Sequence, residues 1–335
     1  MDSDAQGTTG ASSGAALYVG IDVSKDGLDL ARSDRGGVTA YANDAAGIAA
    51  VVRMLAEDGP ALAMAVVEAT GGLERPLLEA LLDAGLPAAL VHPGRVRYFA
   101  KALGVLAKTD RIDGRVLARF EQLAGPRLAE KRSKNQAELA DLVACRRQLA
   151  ATRAQQLNRR CTTASKAALR SLDAVIAALD GQVESLGQKI RDLIDADDDF
   201  RDLDKLLQSV PGVGPTLSAT LAAELRELGD ADRREVGALA GVAPYDKQSG
   251  RRDGRRRIRG GRTSLRCVLY MATLAAMRFN PVIRSFADRL RAARKAGKVV
   301  VVACMRKLLT LINAMVRDGL AWDQLEVVKK LATNP

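Results

Sequence analysis

Ser249 stands at the upstream end of YDKQSGRRDGRRRIRGGR, positions 245–262, in which eight basic residues accompany two acidic ones. A serine hydroxyl is a poor nucleophile until a base or a metal removes its proton. The single histidine, His92, precedes a proline at the end of an expected strand, where a structural role suits it better than a triad. Metal is the better activator, and four acids are spaced to hold it. Asp22 ends the apolar run ALYVGID, and Glu68 ends the core of MAVVEA. Ends of neighbouring strands are where polar groups converge on a ligand. Asp110 and Asp113 lie three apart in KTDRIDGRVLARF, so on a helix they share one face. Four such carboxylates suit hard divalent cations, Mg²⁺ (or Mn²⁺), which take oxygen ligands and share remaining positions with phosphate. Such a metal lowers the pKa of an attacking oxygen and neutralises the scissile phosphate.

Phosphate holders are abundant. Arg251, Arg252, Arg255, Arg256, Arg257, Arg259 and Arg262 can each offer forked hydrogen bonds to phosphate. Upstream, LLQSVPGVGPTLSATLAAEL (206–225) reads as helix, Pro-Gly-Val-Gly turn, helix. In that helix-hairpin-helix pattern Gly212 and Gly214 can present backbone amides to a phosphate. Each feature also has a structural reading. Asp22 can cap the turn before Ser24, Glu68 can be a strand-end charge, and Asp110 with Thr109 can start a helix. Ser249 can shape a turn with Gly250, and the glycine turn can be an ordinary helix corner.

The elements that must position these residues follow from periodicity. ALYVGID, GLDLARSD and GVTAYAN read as three strands across short polar turns, followed by the amphipathic DAAGIAAVVRMLAEDG. ALAMAVVEA, LERPLLEALLDAG and PAALVHP then read as strand, helix, strand, predicting a mixed sheet with helices on its faces. No proline occurs from 127 to 210, which permits long helices. Leu172, Ile176, Leu179, Val183, Leu186, Ile190 and Leu193 keep a heptad seam that serves an intramolecular hairpin or a dimer equally well. The acidic run DADDDFRDLD (195–204) reads as a solvated linker. Helices are expected over about 264–277, 281–296 and 299–317.

Charge divides along the same lines. Residues 1–126 carry 12 Lys+Arg against 16 Asp+Glu, whereas 127–335 carry 39 against 24, within a total of +11. An acidic front and a basic rear fit a carboxylate site joined to a polyanion-binding surface. The four cysteines are scattered with no histidine to complete a zinc set, and are expected to be reduced and buried. MDSDAQGTTGASSGA lacks a signal-peptide pattern and is expected to be a disordered tail. The run VVVVAC meets Arg306 and Lys307 too soon to span a membrane.

Strand–Asp–hairpin, strand–Glu and a helix bearing Asp-x-x-Asp resemble the RNase H-like fold of RuvC-type nucleases. With VPGVGPTLSATL and GVAPYDKQSGRRDGRRRIRGGRTSLRCVLYMAT behind it, the chain resembles, from about Ala16 to Trp322, the DEDD insertion-sequence transposases related to the Piv/MooV DNA invertases. That resemblance implies an RNase H/RuvC-like mixed-sheet domain at 16–127, a helical coiled-coil spacer at 128–198 and a mostly α-helical transposase domain at 199–335. It implies that Asp22, Glu68, Asp110 and Asp113 bind Mg²⁺ and that Ser249, in a Pro-x-x-x-x-Ser-Gly context, is the nucleophile. It further implies target and donor DNA, a guide ("bridge") RNA encoded beside the gene, dimers to tetramers with shared active sites, and a bacterial cytoplasmic setting near the nucleoid.

The choice of nucleophile decides the reaction. Water would hydrolyse a phosphodiester and lose its energy, whereas a serine stores the ester until a new strand end reclaims it. No Walker-type loop is present to supply ATP instead. Three rivals stay open: a hydrolytic RuvC-like nuclease, an actin-like kinase suggested by VGIDVSKDGLDL, and a non-catalytic nucleic-acid-binding protein. The kinase would need a second phosphate hairpin, and none is evident in the rear half. The binding protein would leave four placed acids idle.

Overall fold

The structure is a computed structural model that describes residues 16–104, 116–117, 119–120, 123, 125–249 and 252–325. It divides into two compact units, residues 1–131 and 132–335. Asp110, Asp113, Arg251 and the N-terminal fifteen residues lie outside the described residues.

Unit 1 is built on a five-stranded mixed sheet: β1 (Leu17–Val23), β2 (Gly27–Arg32), β3 (Thr39–Ala42), β4 (Leu62–Glu68) and β5 (Ala88–Val91). Their order is β3-β2-β1-β4-β5. β1 pairs antiparallel with β2 and parallel with β4, and β4 pairs parallel with β5. The first hairpin turns at Ser24, whose hydroxyl and amide both meet Gly27 O, at 3.0 and 2.8 Å. Side-chain alternation sends Leu17, Val19, Ile21 and Val67 to one face, under α1 (Ala45–Glu57) and α2 (Arg75–Asp83). Val66, Ala89 and Val91 face the other way, against α3 (Pro93–Ala102) and the helical residues Val116, Leu117 and Phe120. The three-layer arrangement matches the mixed sheet expected from the alternation of strand and helix patterns.

Unit 2 begins with α4 (Lys134–Cys161) and α5 (Lys166–Ala196), an antiparallel pair. Arg153 meets Asp180 and Arg160 meets Asp173 across it. Ile176, Ile190 and Ile194 from this helix are buried, the first two on the heptad seam. The seam is thus satisfied at least in part within the chain. At its end, Asp197 interrupts the helix and caps the next, α6 (Asp198–Gln208), accepting from Phe200 N at 3.2 Å. Hydrogen bonds from Asn135 and the Phe200 amide hold its carboxyl below the usual range. The acidic run is therefore helix rather than linker. Asp198 and Asp199 sit in the first turn, where the helix dipole favours them, while Phe200 and Leu207 are buried.

α7 (Pro215–Glu224) follows, then α8 (Arg233–Leu239), α9 (Thr263–Phe279), α10 (Pro281–Ala292) and α11 (Gly297–Asp318). α11 is long and apolar enough to cross a membrane. Here it packs against α6, α8, α9 and α10, burying Val300, Cys304, Leu308, Ile312 and Met315 in the largest core. Each such side chain contributes roughly 1.5–3 kcal/mol on burial. Three of the four cysteines, Cys145, Cys161 and Cys267, are exposed, so the expectation of four buried thiols holds only for Cys304. The helices that carry the other three turn them away from the core, and burial pushes the Cys304 thiol pKa up.

Between α8 and α9 the arginine-rich stretch forms a two-stranded hairpin, β6 (Pro244–Ser249) and β7 (Arg252–Ile258). It is an island of β-structure in an otherwise helical unit. Periodicity did not reveal it, because arginine, aspartate and glycine are weak strand formers and no apolar alternation runs through it.

Candidate active site

The two described carboxylates lie at the C-terminal edge of the sheet. Ile21 and Val67 are register partners, so Asp22 and Glu68 each stand one residue further along adjacent parallel strands. Both project to the face of Val66 and Val91, and both are half-buried. That face also packs Val116, Leu117 and Phe120, which follow Asp113 by three, four and seven residues.

Sequence reasoning missed two further acids here. Asp29 pairs in register with Asp22 across β1 and β2, so it shares the same face. Like charges directly opposite one another repel, a cost that a bound cation would offset. Glu74 is buried at 6 % exposure. Its Oε2 accepts the amides of Thr70 and Gly72, both at 2.9 Å, and so fixes the loop that leaves Glu68. Its signal in sequence was only a glutamate shortly after Gly-Gly, too common a pattern to single out. Among the described residues no group of three or more His, Cys, Asp or Glu is arranged to hold a metal ion. Two neighbouring half-buried oxygen donors nevertheless suit a hard divalent cation better than a soft one. His92 caps α3, its Nδ1 accepting Gly94 N at 3.0 Å.

In unit 2, Ser249 is the last paired residue of β6, and its register partner is Arg252. Only two residues separate them, so Ser249 adjoins the hairpin tip. Further down, Tyr245 pairs with Arg257 and Lys247 with Gly254, so Arg255 and Arg256 together oppose Asp246 in a bulge. The expected phosphate-holding arginines divide by environment. Arg257 and Arg259 lie toward the surface, whereas Arg256 is exposed but paired with Asp246. Arg252 and Arg255 belong to β7. Arg262 clasps Glu227 with two hydrogen bonds at 2.9 and 2.7 Å, an intramolecular tie rather than an open fork. Arg266, not singled out in the sequence, secures the base of the hairpin through Gly260 O at 2.8 Å.

Gly212 and Gly214 do occupy the turn between α6 and α7. Gly212 has φ +99°, and a Cβ there would come within 2.6 Å of the Ala276 backbone on α9. Its lack of a side chain is thus explained by close helix packing. Asn280, fully buried, ties the same turn down by donating to Pro211 O at 3.3 Å.

Both units match known sequences. Residues 19–165 match the DEDD model of IS110 transposases, and residues 204–288 match the transposases of the IS116/IS110/IS902 family. The pilin gene-inverting protein of Moraxella bovis is 28% identical over 271 residues, covering 77% of this chain and 81% of that protein. Its Moraxella lacunata counterpart is similar to the same degree. The IS110 43.6 kDa protein of Streptomyces coelicolor is 30% identical over 158 residues, covering 46% of this chain and 37% of that one. A mixed sheet with carboxylates at its strand ends, followed by a helical unit of transposase sequence, defines a DNA-rearranging enzyme. Within that class the chain belongs to the insertion-sequence transposases of the IS110 type, relatives of the pilin gene inverters.

Proposed function

We propose that the chain cuts and rejoins DNA by two transesterifications. Ser249 Oγ bonds to the phosphorus of a target phosphodiester while the strand's own P–O bond breaks. The serine proton is transferred in balance to the departing strand oxygen, which leaves as a hydroxyl. A hydroxyl from the incoming strand then attacks the phosphoserine ester, joins the new strand and returns the proton to Ser249. One ester is exchanged for another at each step, so neither ATP nor a ligase is required.

Asp22, Glu68, Asp110 and Asp113 would hold Mg²⁺ or Mn²⁺, which supplies charge neutralisation at the phosphate and a more acidic serine hydroxyl. Arg257 and Arg259, with Arg251, Arg252 and Arg255, hold phosphates beside the serine. Gly212 and Gly214 add backbone amides to the nucleic-acid surface. A bridge RNA selects target and donor DNA, and the protein works as a dimer to tetramer. The observation that carries this reading is the side-by-side position of Asp22 and Glu68 at the sheet edge, in a chain of transposase sequence. The basic balance of residues 127–335 supports a polyanionic partner.

The test is trapping. Protein incubated with its DNA and Mg²⁺, then denatured, should carry DNA covalently, with the linkage mapping to Ser249 and absent from Ser249→Ala. Cleavage at full rate by Ser249→Ala would instead favour a water nucleophile and the hydrolytic reading.

A further inference from the structure

On unit 2, away from the hairpin tip, a groove of about 530 Å³ lies between α8, α10 and α11 and reaches the foot of β6 at Pro244. Its floor is apolar, formed by Val299, Val302 and Phe286 with their neighbours. Its charged lining consists of Arg233, Arg306 and Lys307, with no acid among them. Several other arginines of unit 2 are paired to acids. Arg147, Arg153, Arg160, Arg201, Arg262 and Arg291 each hold a carboxylate. Among the described residues, none is ion-paired to Arg306, Lys307 or Arg233. Asp232, the acid beside Arg233, is occupied in capping α8 through the Arg234 and Glu235 amides.

The local packing keeps these charges at the groove. Lys307 Nζ sits 5.5 Å from the Phe286 ring centroid, a cation–π contact. Arg306 is half-buried and runs over Gly237 of α8, where an added Cβ would come 3.7 Å from its Nε. Holding the half-buried Arg306 guanidinium and Lys307 ammonium without an ion-pair partner carries a desolvation cost, while the exposed Arg233, next to Asp232, adds charge at the rim. An anionic ligand offsets that cost. The floor requires that the ligand also bring flat or apolar surface, and Val299 is left 55 % exposed for it. A polynucleotide strand meets both demands, because phosphates and base faces alternate along it. Paired bases in a duplex are stacked away from such a floor, so the fit is to a single strand.

We infer that this groove binds single-stranded polynucleotide, phosphates on Arg233, Arg306 and Lys307 and bases on the Val299–Val302–Phe286 floor. The inference rests on the nucleic-acid function proposed above but not on its serine or metal chemistry. Because the groove adjoins β6, it offers a continuation of the basic hairpin surface.

The experiment measures binding of the full chain to short oligothymidylate, oligouridylate, an abasic strand and a duplex, in EDTA, over a range of salt. Removing one phosphate contact on a single strand lowers the slope of log affinity against log salt by roughly 0.7, so Arg306→Ala/Lys307→Ala should lower it by about 1.4. Val299→Ser, at an exposed position, should weaken binding of base-bearing strands several-fold and leave the abasic strand unchanged. A loss confined to oligouridylate or to oligothymidylate would support the groove and identify its source as RNA or DNA. Unchanged single-strand binding by both variants, with unchanged melting temperature, would overturn the inference. So would a slope change seen only on duplex, or a shift in oligomeric state without a binding change, which would assign the face to a second copy. Because binding is measured in EDTA and without cleavage, failure of the metal chemistry and failure of the groove are separable.

Discussion

Asp22 and Glu68 are carried by adjacent parallel strands one step beyond the Ile21–Val67 pair, so two carboxylates meet at one edge of one sheet face. Their strands are fixed by cores that do not involve them, since Ile21 and Val67 pack on the opposite side. Asp22→Asn and Glu68→Gln should therefore fold normally while losing divalent-metal affinity and strand cleavage. Calorimetric titration with Mn²⁺ alongside a thermal melt checks this. Equal metal binding by parent and variants would remove both residues from the metal site.

How much of this was legible beforehand depended on apolar pattern. The strands carrying Asp22 and Glu68 could be read because Leu17, Val19 and Ile21, and then Ala65 and Val67, alternate inward. α9, α10 and α11 were readable from Asn280-Pro281 and Gly297, although α10 stops at Ala292 rather than 296. Asp29 escaped notice because cross-strand register, not spacing along the chain, sets it opposite Asp22. Glu74 escaped because its importance lies in two amides that only the folded loop brings to it. The role of Arg262 was hidden for the same reason, its partner Glu227 lying 35 residues away.

Gly212 tests the alternative origin of the glycine turn. A side chain there meets the Ala276 backbone and also has to adopt φ +99°. Gly212→Ala should destabilise unit 2 by about 3 kcal/mol, combining strain and overpacking. Gly214 has φ −111° and open space for 4 Å around the place a Cβ would take, so it should accept alanine at little cost. Denaturant unfolding of the two variants decides. Similar stabilities would show that packing on α9 does not explain the glycine.

Acid stability of unit 1 should depend on Arg32. Its side chain, 9% exposed, bonds Asp34 at 3.0 Å and Asp58 at 2.7 Å. The Arg32 hydrogen bond holds the Asp34 carboxyl below its usual range. A depressed folded pKa stabilises fully above the unfolded value, about 3.9, and the effect is lost as pH falls below it. Arg32→Gln should cost about 2 kcal/mol at neutral pH, as expected for charge-assisted bonds. The gap between parent and variant should close as pH drops below about 4. Melts at a series of pH values check this, and a gap that stays constant would place the loss in packing rather than charge.

Arginines of the basic stretch should separate into two kinds. Arg257 and Arg259 lie toward the surface, so replacing them should flatten salt dependence by about 0.9 per duplex phosphate contact and leave stability unchanged. Arg262 instead ties the start of α9 to Glu227, with side chains 34% and 19% exposed. Arg262→Ala should lower stability by about 1–2 kcal/mol, because it removes two charge-assisted hydrogen bonds from a largely buried carboxylate. It should change the salt slope little. Glu227→Gln/Arg262→Gln should recover part of the loss, since an amide pair can still bridge the two positions. Salt-dependent binding and thermal melts on the same proteins separate the two roles. If Arg262→Ala flattens the slope as strongly as Arg257→Ala while melting like the parent, then Arg262 leaves Glu227 to hold phosphate, and the division between structural and binding arginines fails.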